Sequence, residues 1–285
     1  MNKNLIILGI GVLLAVGIYL LAETRPEEAR GDAPVAGVPT VDTAAIASDF
    51  DPFADYEARS DGSDSARVRR WTERLLSPDI DTQRAVAIAD SLVGLAVERG
   101  YGGLLVVGET SRARFLGQAS AWQRAGRTAF DIGSMARDDD AAAWFIGQAR
   151  RAFARGLDLD PGNAELSIDL AQCDLQRQET TMDGITRLLQ VVDDDPDNVR
   201  ANLLLARFGL VSGQYEKVLI RTEKVLSLQP ANPQALFMAA QAHGGLGSYD
   251  EAVELLTRCR DLTDDPAFIE EIDALIQRWT ASKKP

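Results

Sequence analysis

The chain has 285 residues, with 43 acidic against 30 basic ones and a formal net charge of −13. That balance argues against a nucleic-acid binder, which needs a basic footprint on its surface. A single histidine, His243, and two cysteines, Cys173 and Cys259, remove most catalytic triads and leave too few ligands for a structural metal site.

Residues 1–4 form a short tip carrying Lys3, followed by an uncharged apolar run from Leu5 to Ala22. At about 18 residues this run is long enough to cross a bilayer as a helix. It exceeds the usual signal-peptide core, and a cut after Ala22 would place bulky Leu20 where a small residue is wanted, so a retained anchor is expected. No cysteine follows the run to make a lipoprotein. Lys3 before it and the net-acidic "AETRPEEAR" after it put the amino terminus in the cytoplasm and the rest outside. With no glycosylation sequon in the chain, the expected setting is a bacterial inner membrane with the main body in the periplasm.

Residues 23–63 are rich in Asp, Glu, Pro, Gly and Ala and read as a flexible, self-repelling tether. About forty such residues reach roughly 35 Å. The apolar island "DFDPFADY" interrupts it, either as a segment packed weakly on the body or as a partner-docking peptide.

Residues 64–118 read as mostly helical. Asp64 and Ser65 are candidate caps for "ARVRRWTERLL", and Asp81 or Thr82 for "QRAVAIADSLVGLAVERG", the two pairing as a degenerate repeat. The run "YGGLLVVGE" is a buried crossing segment or a short strand, which periodicity does not decide. It lacks the Gly, Lys and Ser/Thr order of a phosphate loop.

Further on the chain repeats itself. Tyr215 in "SGQYEKVLIRTEKVLSLQP" and Tyr249 in "LGSYDEAVELLTRCRDLTDD" stand about 34 residues apart, the length of one helix-turn-helix unit. Residues 199–232 carry Leu205, Ala206, Gly213, Tyr215, Val218, Val225 and Pro230; residues 233–266 carry Gly247, Tyr249, Ala252, Leu256, Cys259 and Pro266. Residues 165–198 fit through Ala171, Leu175, Leu188, Val191 and Pro196, with Thr181 in place of the Tyr and Gly184 in place of an Ala. A divergent unit at 119–164 holds Trp122, Gly126, Ala129 and Gly133, and is about ten residues too long for the period, through an extended loop or a longer second helix. On these residues the chain resembles the tetratricopeptide family over about 119–266. Gly213 and Gly247 suit left-handed helix ends. Residues 267–285 supply a last helix and tail: Asp265 caps it, Pro266 opens it, and Phe268, Ile272, Leu275, Ile276 and Trp279 share one face, as a solenoid cap requires. The expected fold is all-α, a right-handed solenoid of these repeats preceded by a single transmembrane helix.

The resemblance also implies a site. In the family the inner groove is lined by fixed positions of each first helix, which fall here on Leu166, Asp169, Cys173, Gln176 and Arg177, then Arg200, Leu203, Arg207, Leu210 and Val211, then Gln234, Phe237 and Gln241. From these the expected peptide-binding set is Asp169, Arg177, Arg200, Leu203, Arg207, Gln234, Phe237 and Gln241. Arg200 and Arg207 would anchor a carboxylate or backbone carbonyl of an extended peptide, and Phe237 would hold an apolar side chain. The Lys and Asn clamp by which one subclass grips chaperone tails is missing, since its positions hold Leu203 with Arg207 and Phe237 with Gln241.

His243 falls where the family packs a Tyr, so a core role is expected rather than general-base chemistry. Cys173 and Cys259 lie two repeats apart, too far for a disulfide. The clusters at Asp138–Asp140 and Asp193–Asn198 read as caps, since neither has the spacing of a calcium loop. No enzyme, cofactor or metal is expected. The expected partners are proteins or peptides, with membrane contact through residues 5–22, no nucleic acid, and no indication of a homo-oligomer. The function implied is a tethered adaptor. The alternative is an assembly factor for envelope proteins, since outward-facing tetratricopeptide proteins with one span take part in cytochrome c maturation and exported-protein folding.

Overall fold

The computed structural model describes residues 50–282. The expected tip, the span at 5–22 and the tether from 23 to 49 lie outside the described residues. Among the described residues, no helix is long and apolar enough to cross a membrane.

The described residues form thirteen α-helices. They divide into two compact units, the first ending at Arg177 and the second beginning at Gln178. The first unit holds α1 (Pro52–Arg59), α2 (Ser65–Leu75), α3 (Thr82–Arg99), α4 (Gly102–Leu116), α5 (Ala119–Met135), α6 (Asp139–Leu159) and α7 (Ala164–Leu175). After a 3-10 turn at Gln178–Thr180, the second unit holds α8 (Thr181–Asp194), α9 (Val199–Val211), α10 (Tyr215–Leu228), α11 (Pro233–Gly245), α12 (Tyr249–Arg260) and α13 (Pro266–Ser282). The division falls inside the 165–198 repeat, which has Thr181 in place of the Tyr.

The apolar island is part of the fold. Asp51 caps α1 by accepting from the Phe53 amide at 2.8 Å. Tyr56 is buried among Val68, Leu92 and Leu104, edge-on to Tyr101 at 4.9 Å, while Phe50 packs on Trp144 and Phe145 at 5.2 and 5.5 Å. The tether expected to run to residue 63 therefore gives way to packed chain from Phe50, because three aromatic contacts offset the cost of ordering a short acidic segment.

The run "YGGLLVVGE" opens a helix. A β-carbon at Gly103 would stand 2.8 Å from the Pro52 side chain, and one at Gly108 2.8 Å from that of Val93, so these glycines serve close approach of α1 and α3 to α4. The hairpin of this region is consequently α3 with α4, joined at Gly100 and Tyr101, and α2 packs only lightly on α3. That corrects the expected pairing of the 65–75 and 82–99 helices. Asp81 caps α3, accepting from the Arg84 amide, and the Asp64 side chain caps nothing.

The extra length at 119–164 resolves into long helices, 17 residues in α5 and 21 in α6. Asp138 starts α6 by accepting from Ala141 at 2.8 Å. The core of this unit gathers Val106, Ala129, Phe145, Phe153, Leu166 and Cys173.

In the second unit each helix packs on its neighbours in sequence, and α9 also touches α11. Gly213 and Gly247 hold φ of 72° and 79°, the left-handed ends read from sequence. Asp265 caps α13 through the Ala267 amide at 3.0 Å. Ile272 and Trp279 bury against Leu236, Leu256 and Cys259, which closes the apolar end of the array.

Candidate protein-binding face

Helices α9 and α11 begin alike. Asn198 accepts from the Ala201 amide at 3.0 Å and Asn232 from Ala235 at 2.9 Å, 34 residues apart. Asn163 does the same for α7, accepting from Leu166 at 3.0 Å. Recurring Asn one residue before each first helix was a readable sequence signal for these starts. Asn202 was not foreseen. It is buried, and its amide donates to the carbonyls of Pro196 at 3.1 Å and Asn198 at 2.9 Å, which fixes the loop entering α9. The acidic run at 193–198 thus supplies its cap through Asn198, while the Asp195 carboxylate accepts from the Asp197 amide at 3.1 Å and Asp197 pairs with Lys224.

With the start of α9 fixed, its small and aliphatic residues Ala201, Leu204, Leu205 and Ala206 turn inward. Leu203 and Leu210 are half-buried against Ala206, Val218, Met238 and Ala242. Arg200 is half-buried, Arg207 is exposed, and Val211 is 76% exposed. On α11, Ala235, Leu236, Ala239 and Ala240 go inward, Gln234 is exposed and Gln241 half-exposed. Phe237 is not an open pocket wall: it sits edge-on to Phe268 of α13 at 5.0 Å, packed by the capping helix. Six expected residues, Arg200, Leu203, Arg207, Gln234, Phe237 and Gln241, thus lie on two neighbouring helices of one unit.

The other two lie in the first unit, and Asp169 departs from expectation. It is 2% exposed, and its carboxylate accepts from Gln123 at 3.0 Å and from the Arg127 Nε at 2.9 Å. Arg127 also reaches Glu165 at 3.2 Å. Leu166 and Cys173 are fully buried in the core with Phe153. On α7 the family's groove positions are covered by α5 and α6, so Asp169 is a structural partner of Arg127 rather than a lining residue. Arg177 is half-buried at the last residue of this unit.

Beside Cys173 lies a buried ion pair, Arg150 Nε donating to Asp174 Oδ1 at 2.7 Å. Burial raises the Cys173 thiol well above its ordinary range, and the neighbouring Asp174 and Asp169 carboxylates push the same way. Burial also raises Cys259, whose Sγ donates to the Pro233 carbonyl. Both thiols are free and buried. His243 is half-buried near the end of α11, and its Nδ1 finds no hydrogen-bond partner among the described residues. Those residues contain no group of three His, Cys, Asp or Glu that could hold a metal ion. Two shallow depressions of about 400 and 430 Å³ are present, one in the second unit between Val192, Asn202, Ile220 and Lys224, the other in the first unit between Arg70, Trp71 and Ile88.

No family model matches the chain. Cellulose synthase operon protein C of Pseudomonas fluorescens (strain SBW25) is 35% identical over 68 residues, 24% of this chain, and the chain spans only 5% of that protein's length. The solved structure of the MamA protein aligns at a TM-score of 0.50 and 17% identity, covering 66% of this chain and 97% of MamA. That of YrrB, described as a TPR protein with an unusual peptide-binding site, aligns at 0.47 and 15% identity, covering 73% and 99%. At such identities the MamA likeness speaks for the fold alone, and the YrrB score is too low to carry weight. Together with helix hairpins recurring at the 34-residue spacing of the Asn caps, the fold is tetratricopeptide-like.

Proposed function

We propose that this protein is a noncatalytic, membrane-tethered adaptor that holds protein or peptide partners in its concave groove, on the face of α9 and α11 that carries the groove positions. The observation that carries this reading is the state of that face after the two helices have packed: Arg207, Val211 and Gln234 stay exposed, and Arg207 has no ion-pair or hydrogen-bond partner among the described residues. An unused guanidinium one helical turn from an exposed aliphatic side chain offers paired donors beside apolar area, the pairing that interfaces use. Tethering rests on the apolar run at 5–22 and the acidic stretch that follows, and a place in the inner membrane with the body in the periplasm rests on the charge order around that run. The narrower reading, an assembly factor for envelope proteins such as those of cytochrome c maturation or exported-protein folding, rests on that architecture alone. A 68-residue likeness to the cellulose synthase operon protein is the length of two repeats and points to no pathway.

The test is photo-crosslinking in the native host, with a crosslinking residue at position 211 of the full chain and a control at Leu76 in the first unit. A discrete adduct at 211 that Arg207→Glu abolishes is the expected result. Adducts that are the same at both positions, or indifferent to Arg207, would end the reading of this face as a binding surface.

A further inference from the structure

Acidic residues are unevenly placed over the fold. Among the thirteen described helices, α9 and α11 alone contain no Asp or Glu, although the chain has 43. Every other helix of the second unit carries at least two: Asp183, Asp193 and Asp194 on α8, Glu216 and Glu223 on α10, Asp250, Glu251 and Glu254 on α12, and Glu270, Glu271 and Asp273 on α13. The acid-free helices are the two that lie side by side, and what charge they hold is basic, from Arg200 and Arg207. Burial accounts for part of the gap, since α9 exposes only Arg207 and Val211 and α11 only Pro233, Gln234 and Gly245, yet none of these open positions is acidic. Arg207, Val211 and Gln234 are exposed positions where a carboxylate would be as well solvated as on α10 or α12.

From this we infer that the partner segment is acidic, with a carboxylate two residues from an aliphatic side chain; the inference rests on α9 and α11 being the binding face. A carboxylate on these helices would repel such a segment at contact distance. Those on the other helices are screened beyond about 8 Å at physiological ionic strength. Spacing supplies the motif. Arg207 and Val211 are one helical turn apart, about 5–6 Å between β-carbons. In an extended peptide, side chains at i and i+2 project to one side about 6.6–6.8 Å apart, so an Asp or Glu over Arg207 places the i+2 side chain over Val211. Gln241 and Gln234 on α11 remain to meet backbone carbonyls of the extended segment, the role that uncharged donors fill best.

The test uses fluorescein-labelled octapeptides of one Gly/Ser background with the full chain in detergent, read by anisotropy at low and moderate salt. The cores are Glu-Ser-Ile, Gln-Ser-Ile, Lys-Ser-Ile and Glu-Ser-Ser. The expected order has Glu-Ser-Ile at least about tenfold tighter than Gln-Ser-Ile, with Lys-Ser-Ile weakest. The Glu-Ser-Ile affinity should fall with salt, Arg207→Glu should invert the Glu and Lys preference, and Val211→Ser should erase the advantage of Ile over Ser. Equal affinities for the Glu and Gln peptides would overturn the inference while leaving the adaptor reading in place. So would failure of all four peptides while the position-211 adduct persists. Loss of that adduct's dependence on Arg207 would instead remove the adaptor reading and the inference with it.

Discussion

The ring of Tyr215 occupies the place where a β-carbon on Gly245 would stand, with Cζ 2.4 Å from that position. Tyr215 opens α10 and Gly245 closes α11, so the repeated Tyr that makes the period visible also locks one hairpin to the next. Gly245→Ala would have to push aside a rigid ring and should cost about 1–3 kcal/mol, the usual range for overpacking. Gly94, exposed within α3 with nothing within 4 Å of its would-be β-carbon, is the control. Its change to Ala should stabilise by about 0.5–1 kcal/mol through helix propensity. Denaturant unfolding of both variants decides the matter, and a Gly245→Ala protein as stable as the parent would show that the ring yields freely.

The pair Arg150 and Asp174 is almost wholly removed from water, with the Asp174 side chain at 0% exposure. Asp174→Ala should cost about 3–5 kcal/mol, since it takes a 2.7 Å carboxylate partner away from a buried guanidinium. Replacing both, as Arg150→Met with Asp174→Leu, should recover most of that loss, because apolar pairs of similar volume are often neutral in such places. A double variant as weak as Asp174→Ala would mean that the pair serves a wider network that the apolar pair does not replace.

Much of this fold was legible because it repeats. The Tyr spacing, the closing glycines at 213 and 247 and the apolar face of the last helix follow from local rules, and each is found where those rules put it. What escaped has non-local causes. An eight-residue helix in an acidic stretch has no periodicity of its own, and α1 is held by aromatic residues about 45 to 95 positions away. The glycine-rich start of α4 looks irregular until Pro52 and Val93 occupy the space its glycines leave. For the candidate face, the family positions name a side of each helix and carry no information on what covers it: Phe268 packs on Phe237, and in α7 it was Arg127 and Gln123 that met Asp169.

Tyr56 tests whether α1 belongs to the folded unit. It is buried, and its hydroxyl has no hydrogen-bond partner among the described residues. Tyr56→Phe should therefore be neutral or stabilise by up to about 1 kcal/mol, as an unsatisfied polar group is removed from the interior. Tyr56→Ala should cost about 3–5 kcal/mol, as for other large aromatic truncations in a core. Two harmless substitutions would return this segment to the tether.

Cys173 makes the alkaline stability of the protein predictable in sign. Its thiol is pushed up by burial and by Asp174 and Asp169, so the folded state keeps the proton at a pH where an unfolded chain, with an ordinary thiol near 8.5, has lost it. The unfolded state then binds fewer protons than the folded one, and the unfolding free energy falls as pH rises. The stability this thiol contributes is full below about pH 8.5 and is lost progressively above it. Other groups titrate there too, so the comparison is between wild type and Cys173→Ala, each unfolded in guanidinium at pH 7 and pH 10 under reducing conditions. Wild type should lose more stability across that interval than the variant. In parallel, the native protein at pH 8 should resist alkylation at Cys173 until it unfolds, since the thiolate is the reactive form. Equal pH slopes together with rapid labelling of native Cys173 would mean that the thiol reaches water, and that the core between α6 and α7 opens far more often than its packing implies.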